Sequence, residues 1–204
     1  MAEATRDRIL DAAAQVLREQ GLARATTKEI ARAAGCSEAL LYKHFADKQE
    51  IFVRVLSERM PPVRISGDMV GRASVTSNLQ HLVEQLLAFY VESFPIAASI
   101  FSSPDLLAAH RESMRSRGVG PHMPALLVRS YLDEEAKAGR IARDADTDAI
   151  ATALTGAALY QAFLAAFSGA TQVEDHGNLA QRIVAVAEPT LGLPHATEEG
   201  TFDD

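Results

Sequence analysis

The sequence predicts an all-α fold, and three observations carry that prediction. Apolar residues recur at intervals of three and four over most of the 204 positions, as in Leu79, Leu82, Val83, Leu86, Leu87, Tyr90 and Val91. The periodic runs are preceded by Ser, Thr or Asp and several end at Gly, the pairing of start and stop that helices use. No alternating Val/Ile/Thr run bounded by hairpin turns occurs, which argues against a sheet. Apolar residues make up 48% of the chain and alanine is abundant, so both propensity and core size favour packed helices.

The elements follow in order. A first helix is expected from about Arg6 to Gln20, capped by Thr5 and stopped at Gly21, with Ile9, Ala13, Val16 and Leu17 on one face. A second begins after Thr26, with Glu29 at capping-box spacing, turns Ile30, Ala31 and Ala34 inward and ends at Gly35. A third starts after Ser37 and runs to about Phe45. A fourth starts after Asp47, with Glu50 at the reciprocal capping position and Ile51, Phe52 and Val55 turned inward. The joint Gly35-Cys36-Ser37 is short and holds a glycine, which is how a helix-turn-helix crosses two helices steeply.

The stretch MPPVRISGDMVGRAS (60–74) breaks the pattern with two prolines and two glycines and reads as a linker or bent connection that could act as a hinge. A long helix is expected over 74–94, ended at Pro95. Further helices follow from Pro104, from His122 to Gly139, over 146–168 and over 178–191, the last bent or ended at Pro189. Three units result. Residues 1–46 are expected to form a three-helix helix-turn-helix domain. Residues 47–192 are expected to form a second helical domain, with helix 47–60 connecting the two. Residues 193–204 form an acidic tail without fixed structure.

Charge refines this division. The net charge is −7, but residues 1–60 hold ten Lys and Arg against nine Asp and Glu, whereas residues 61–204 hold ten against eighteen. An acidic bulk with a locally basic face still suits DNA, because phosphate contact is local. The single cysteine, Cys36, forms no intramolecular disulfide and fits a reducing compartment. The N-terminus is charged with no apolar signal core, and no apolar run is long enough for a membrane span, so a cytoplasmic protein is expected.

On the third helix, Leu41 and Phe45 share the inward face and Ala39 and Lys43 lie opposite. Small, aromatic and basic residues on the outward face suit entry into a major groove. Tyr42 and Lys43 reach phosphates or base edges, and Lys48 sits in the first turn of the fourth helix, where free amides favour an anion.

The segment TTKEIARAAGCSEALLYKHFADKQEIF resembles the N-terminal DNA-binding domain of TetR-type (TetR/AcrR) transcriptional regulators over about residues 6–56. That resemblance implies that Thr26, Thr27 and Lys28 lie near phosphate at the start of the second helix. It implies that Ser37, Glu38, Ala39 and Leu40 form the front of the recognition helix, and that Tyr42, Lys43, His44 and Lys48 hold backbone. Glu38 stands where a basic residue is common and Leu40 where a small hydroxyl residue is common. Glu38 could accept from a cytosine amino group, or simply complement the positive end of its helix.

A short recognition helix reads few base pairs, so a homodimer on an inverted-repeat operator is expected. Helix 146–168 offers the small residues Ala149, Ala153, Gly156 and Ala157 for close approach. Helix 178–191 offers Leu179, Ile183 and Val186. The resemblance also implies an effector pocket among the middle helices. Candidates are Leu86, Phe89, Tyr90 and Phe101, then Met114, Met123 and Leu127, with Tyr131 and Tyr160. Few charges lie on inner faces, which favours a small apolar or amphipathic effector. The function expected is a sequence-specific transcriptional regulator, most simply a repressor released by that effector. The alternative is a helical small-molecule-binding protein or enzyme without DNA binding. No catalytic site, metal site or cofactor is expected: there is no His/Glu metal motif, phosphate loop or G-x-S-x-G, and the carboxylates of DEE (133–135) and DADTD (144–148) read as helix ends and caps.

Overall fold

The computed structural model describes residues 2–21, 24–65, 69–101 and 104–193. The expected acidic tail lies, apart from Leu193, outside the described residues. These hold nine helices: α1 (Ala2–Gln20), α2 (Thr27–Ala33), α3 (Glu38–His44), α4 (Lys48–Glu58), α5 (Val75–Phe101), α6 (Pro104–Ser116), α7 (Met123–Lys137), α8 (Thr147–Ser168) and α9 (His176–Leu191).

Two hydrophobic cores organise them. The first joins Ile9, Leu10 and Val16 of α1, Ile30 of α2, Leu41 of α3, and Phe45 just past it. Ile51, Phe52 and Val55 of α4 belong to the same core, as does Ile96 of α5. The second joins Leu79, Leu82, Leu86 and Leu87 of α5 to Val128 and Leu132 of α7, Leu154 of α8 and Val184 of α9. Helix α4 is thus part of the head, and α5 is the rod that serves both cores. Salt bridges brace α4 against α1: Arg6 grips Glu58 through two nitrogens at 3.0 and 2.7 Å, and Arg59 reaches Asp7 and Asp11 at 2.7 and 2.6 Å. The hydrogen bond from Arg6 holds the Glu58 carboxyl below its ordinary value.

Several expectations need correction. Helix α1 starts at Ala2, before Thr5, so Thr5 is not its N-cap. Helix α5 does not end at Pro95 but runs on to Phe101. A proline inside a helix costs about 3 kcal/mol. Beyond it Ile96 and Ile100 are each only 2% exposed, and burying such side chains recovers about 1.5–3 kcal/mol apiece. Helix α9 likewise passes through Pro189, because Leu191 is fully buried and ties the end of the helix down. At Gly192, φ is +54° and a Cβ would stand 2.6 Å from that of Ala142, so this close approach needs glycine. Helix α8 is also long and apolar enough to cross a membrane, which the sequence reading did not expect. Its alanines make it apolar on every side, and Ile150, Leu154, Ala158 and Ala162 are packed inside the protein.

The linker is docked where it is described. The Arg64 amide donates to Gln85 Oε1 at 2.7 Å, Gln85 Nε2 donates back to the Arg64 carbonyl at 3.3 Å, and Val63 and Ile65 pack against the second core. Near its end Arg140 donates to the Ala73 carbonyl and pairs with the fully buried Glu135 at 3.4 Å.

Candidate nucleic-acid interface

The turn between α2 and α3 is built by its backbone. Gly35 has φ +62°; its amide donates to the Arg32 carbonyl at 3.1 Å and that of Cys36 to the Ala31 carbonyl at 2.9 Å. This double closure is a Schellman motif, and it requires the left-handed residue that glycine supplies. Each following helix is started by a side chain. Thr26 Oγ1 accepts from the Glu29 amide at 3.2 Å, Ser37 Oγ from Leu40 at 3.2 Å, and Asp47 Oδ1 from Glu50 at 2.7 Å. Glu50 answers by accepting from the Ala46 amide at 2.8 Å. Such caps set where α2, α3 and α4 begin, and hence which face of α3 looks outward.

That face carries the side chains read from sequence. Leu41 and Phe45 are buried, whereas Ala39, Tyr42 and Lys43 are exposed, Tyr42 to 50%. Leu40 and His44 are half-buried at the flanks. Among the described residues no carboxylate lies within ion-pair distance of Lys43. The Thr27 hydroxyl donates to Glu38 Oε1 at 2.7 Å and accepts from the Tyr42 hydroxyl at 3.4 Å. Glu38 therefore ties the first turns of α2 and α3 together and orients Thr27 and Tyr42 side by side. Sequence reasoning missed this link, although Thr27, Glu38 and Tyr42 had each been singled out. Lys28 is exposed one residue further along α2. Lys48, first residue of α4, holds its ammonium 5.1 Å from the centre of the Phe52 ring, a cation–π contact that positions the charge. Thr26 and Ser37 spend their hydroxyls on capping, and Cys36 is a half-buried free thiol in the turn.

The residues expected at a dimer interface gather on one side of the body. Ala149, Ala153 and Ala157 of α8 face Leu179, Ile183 and Val186 of α9 across an open apolar groove of about 660 Å³. Gly156 is exposed on α8 with nothing within 4 Å of where a Cβ would stand. The stripe Ala149, Ala153, Gly156 continues at the same spacing into Tyr160, Phe163 and Phe167, which are 57, 42 and 83% exposed and lie against one another at 6.3 and 6.0 Å. The continuing alternation of four and three was the signal that could have placed these aromatics on the same face.

Of the nine pocket candidates, Leu86 and Tyr131 meet, sealed in the second core, with Tyr90 packed against it. Phe101 is 66% exposed and Tyr160 stands on the open α8 face, so these two are corrected to surface positions. Phe89, Tyr90, Met114, Met123 and Leu127 are half-buried, and burial pushes the Tyr90 hydroxyl up to about 12, so it stays protonated. A cavity of about 630 Å³ lies elsewhere, where α1, α5 and the α8–α9 turn meet, and none of the nine lines it. Among the described residues no three His, Cys, Asp or Glu side chains gather as a metal site.

A short recognition helix, set by a Schellman turn and presenting an aromatic and a cation outward, defines an all-α protein with an N-terminal helix-turn-helix domain. Residues 9–55 match the family model described as bacterial regulatory proteins, tetR family. Over 64 residues the chain is 44% identical to the HTH-type transcriptional regulator SrpR of Pseudomonas putida, covering 31% of this chain and 30% of SrpR. The chain spans less than two thirds of the length of the first curated relatives it matches. The whole fold is similar to that of a TetR transcriptional regulator from Agrobacterium tumefaciens, with a TM-score of 0.66 and 21% identity over 93% of this chain and 94% of that one. It is also similar to the transcriptional regulator FadR of Bacillus subtilis, solved in complex with stearoyl-CoA, with a TM-score of 0.60 and 18% identity over 93 and 99% of the two chains. Residues 9–55 are thus similar to the N-terminal domain of the tetR family, and the rest of the chain shares the fold of its solved members.

Proposed function

We propose that the chain is a sequence-specific DNA-binding transcriptional regulator, a homodimer that represses from an inverted-repeat operator and is released by a small amphipathic effector. The observation that carries this reading is the outward face of α3, where Tyr42 and Lys43 stand clear of the core beside Thr27. Lys43 and Lys48 bind phosphate, Tyr42 turns its hydroxyl from Thr27, 3.4 Å away, to the DNA backbone, and Ala39 lets the helix approach base edges. The dimer forms across α8 and α9, where the small-residue stripe permits close packing and the aromatic end supplies apolar area. Similarity of fold to a regulator solved with stearoyl-CoA favours an effector with a long apolar part. Release is a shift of population toward a conformer whose two heads no longer match successive grooves, and a coupling of about 1–3 kcal/mol weakens DNA binding roughly 5–150-fold.

The test is selection of bound duplexes from a random pool by the purified protein at two salt concentrations. An inverted repeat is the expected outcome. Weak binding with no motif at either concentration would remove the regulator reading and leave a small-molecule-binding protein.

A further inference from the structure

The cavity of about 630 Å³ lies on the seam between the two cores. Leu17 and Arg18 at the end of α1 form its head side. Ala88, Val91 and Glu92 of α5 form its body side, and His176 closes it from the start of α9. Its volume is in the range that small-molecule sites occupy, and its wall mixes apolar side chains with Arg18, Gln20, Glu92, Thr171, Gln172 and His176. Those groups have a direction. Arg18 bonds Glu92 at 3.3 Å through Nη1, and among the described residues that is its one ion pair. The Nε–Nη2 edge of the guanidinium is the fork that fits a carboxylate through two parallel hydrogen bonds. A ligand carboxylate taking that edge leaves the pair with Glu92 intact. Glu92 lines the same wall and offers a ligand ammonium the mirror contact, so a comparison of carboxylate with amine reads which charge the site prefers.

We propose that this seam cavity binds a small amphipathic carboxylate, its apolar body against Leu17, Ala88 and Val91 and its head group on Arg18. The occupant touches α1 and α5 at once, so it binds best at one spacing of head and body and favours the conformer with that spacing. This last step rests on the regulator reading; the site itself does not.

The chain has no tryptophan, so Gln172→Trp on the cavity rim gives a single fluorescent reporter. In that background the protein is titrated with decanoate, decanol and decylamine. Decanoate should shift the emission saturably, with the other two binding at least about tenfold more weakly. Arg18→Gln should lower decanoate affinity about tenfold, the loss of a charge-assisted hydrogen bond. Glu92→Gln should hold or raise it. Both substitutions break the Arg18–Glu92 pair, so opposite effects separate carboxylate recognition from a structural role. Ala88→Phe should fill the cavity and abolish binding, with thermal unfolding confirming that each variant folds. Absence of a decanoate response, equal binding of the three ligands, or parallel losses in Arg18→Gln and Glu92→Gln would overturn the site. Anisotropy on a selected duplex then tests the coupling. Decanoate binding with unchanged DNA affinity would overturn the coupling alone, whereas a failed duplex selection would overturn the regulator reading and leave the tryptophan titration standing.

Discussion

Replacing Lys43 by alanine tests the DNA interface with a magnitude fixed in advance. The side chain is exposed on the face of α3 opposite Leu41, and among the described residues no carboxylate neutralises it. Its whole charge is therefore available to one phosphate per protomer, and to two in a dimer. Each neutralised phosphate contributes about 0.9 to the slope of log K against log salt, so Lys43→Ala should flatten that slope by about 1.8. From about 0.05 to 0.2 M salt the logarithm changes by about 0.6, so the deficit of the variant should shrink by about 1.1 log units, roughly twelvefold. Fluorescence anisotropy of a selected duplex at four salt concentrations measures it. Lys137→Ala serves as a control, since that exposed lysine pairs with Glu134 on α7, away from the head. Stability in urea should stay within about 0.5 kcal/mol of the parent, because the site is on the surface. A folded variant with the parent's salt slope would refute phosphate contact by Lys43.

Three other outcomes are expected. Ser37→Ala should cost about 1 kcal/mol in urea unfolding, with most of it restored by Ser37→Asp; equal losses in both would mean that the bond to the Leu40 amide is not the cap of α3. Glu58 has a folded-state pKa held below its usual value of 4.5 by Arg6, so its stabilisation is complete above that value and is lost as pH falls through the folded value. Glu58→Gln should accordingly flatten stability against pH on the acid side, and identical acid limbs would remove the Arg6–Glu58 brace as a source of stability. Val186→Asp, at a position 80% exposed in the α8–α9 groove, should turn a sedimenting dimer into a folded monomer; a parent that sediments as a monomer would sink the dimer reading itself.

Local chemistry made the head legible in the sequence. Thr26, Ser37 and Asp47 each cap the helix they precede, and Gly35 takes the left-handed conformation that its turn demands. These signals act within a few residues, so they survive without knowledge of the rest. The errors came where distant packing outweighed local preference. Pro95 breaks a helix in isolation, yet Ile96 and Ile100 find buried places that only the assembled cores provide. Tyr160 and Phe101 resembled pocket residues because an aromatic at helical spacing does not say which side of the helix is covered. The seam cavity had no signal at all: its walls come from helices some 70 residues or more apart, and no single helix carries its pattern.

Helix α5 has 27 residues, and at about 1.5 Å per residue it is a beam about 40 Å long. Pro95 has no amide hydrogen, so the Val91 carbonyl loses its helical donor, and Val91 is a wall of the seam cavity. The beam is therefore softest in bending where its load passes from one core to the other. Pro95 lies 20 residues from the start of α5, an arm of about 30 Å, so a tilt of about 5° there moves the far end by about 2.6 Å, about a fifth of the width of a groove about 12 Å across. In the proposed dimer, such a flexure at one missing hydrogen bond shifts the two heads relative to successive grooves with no unfolding.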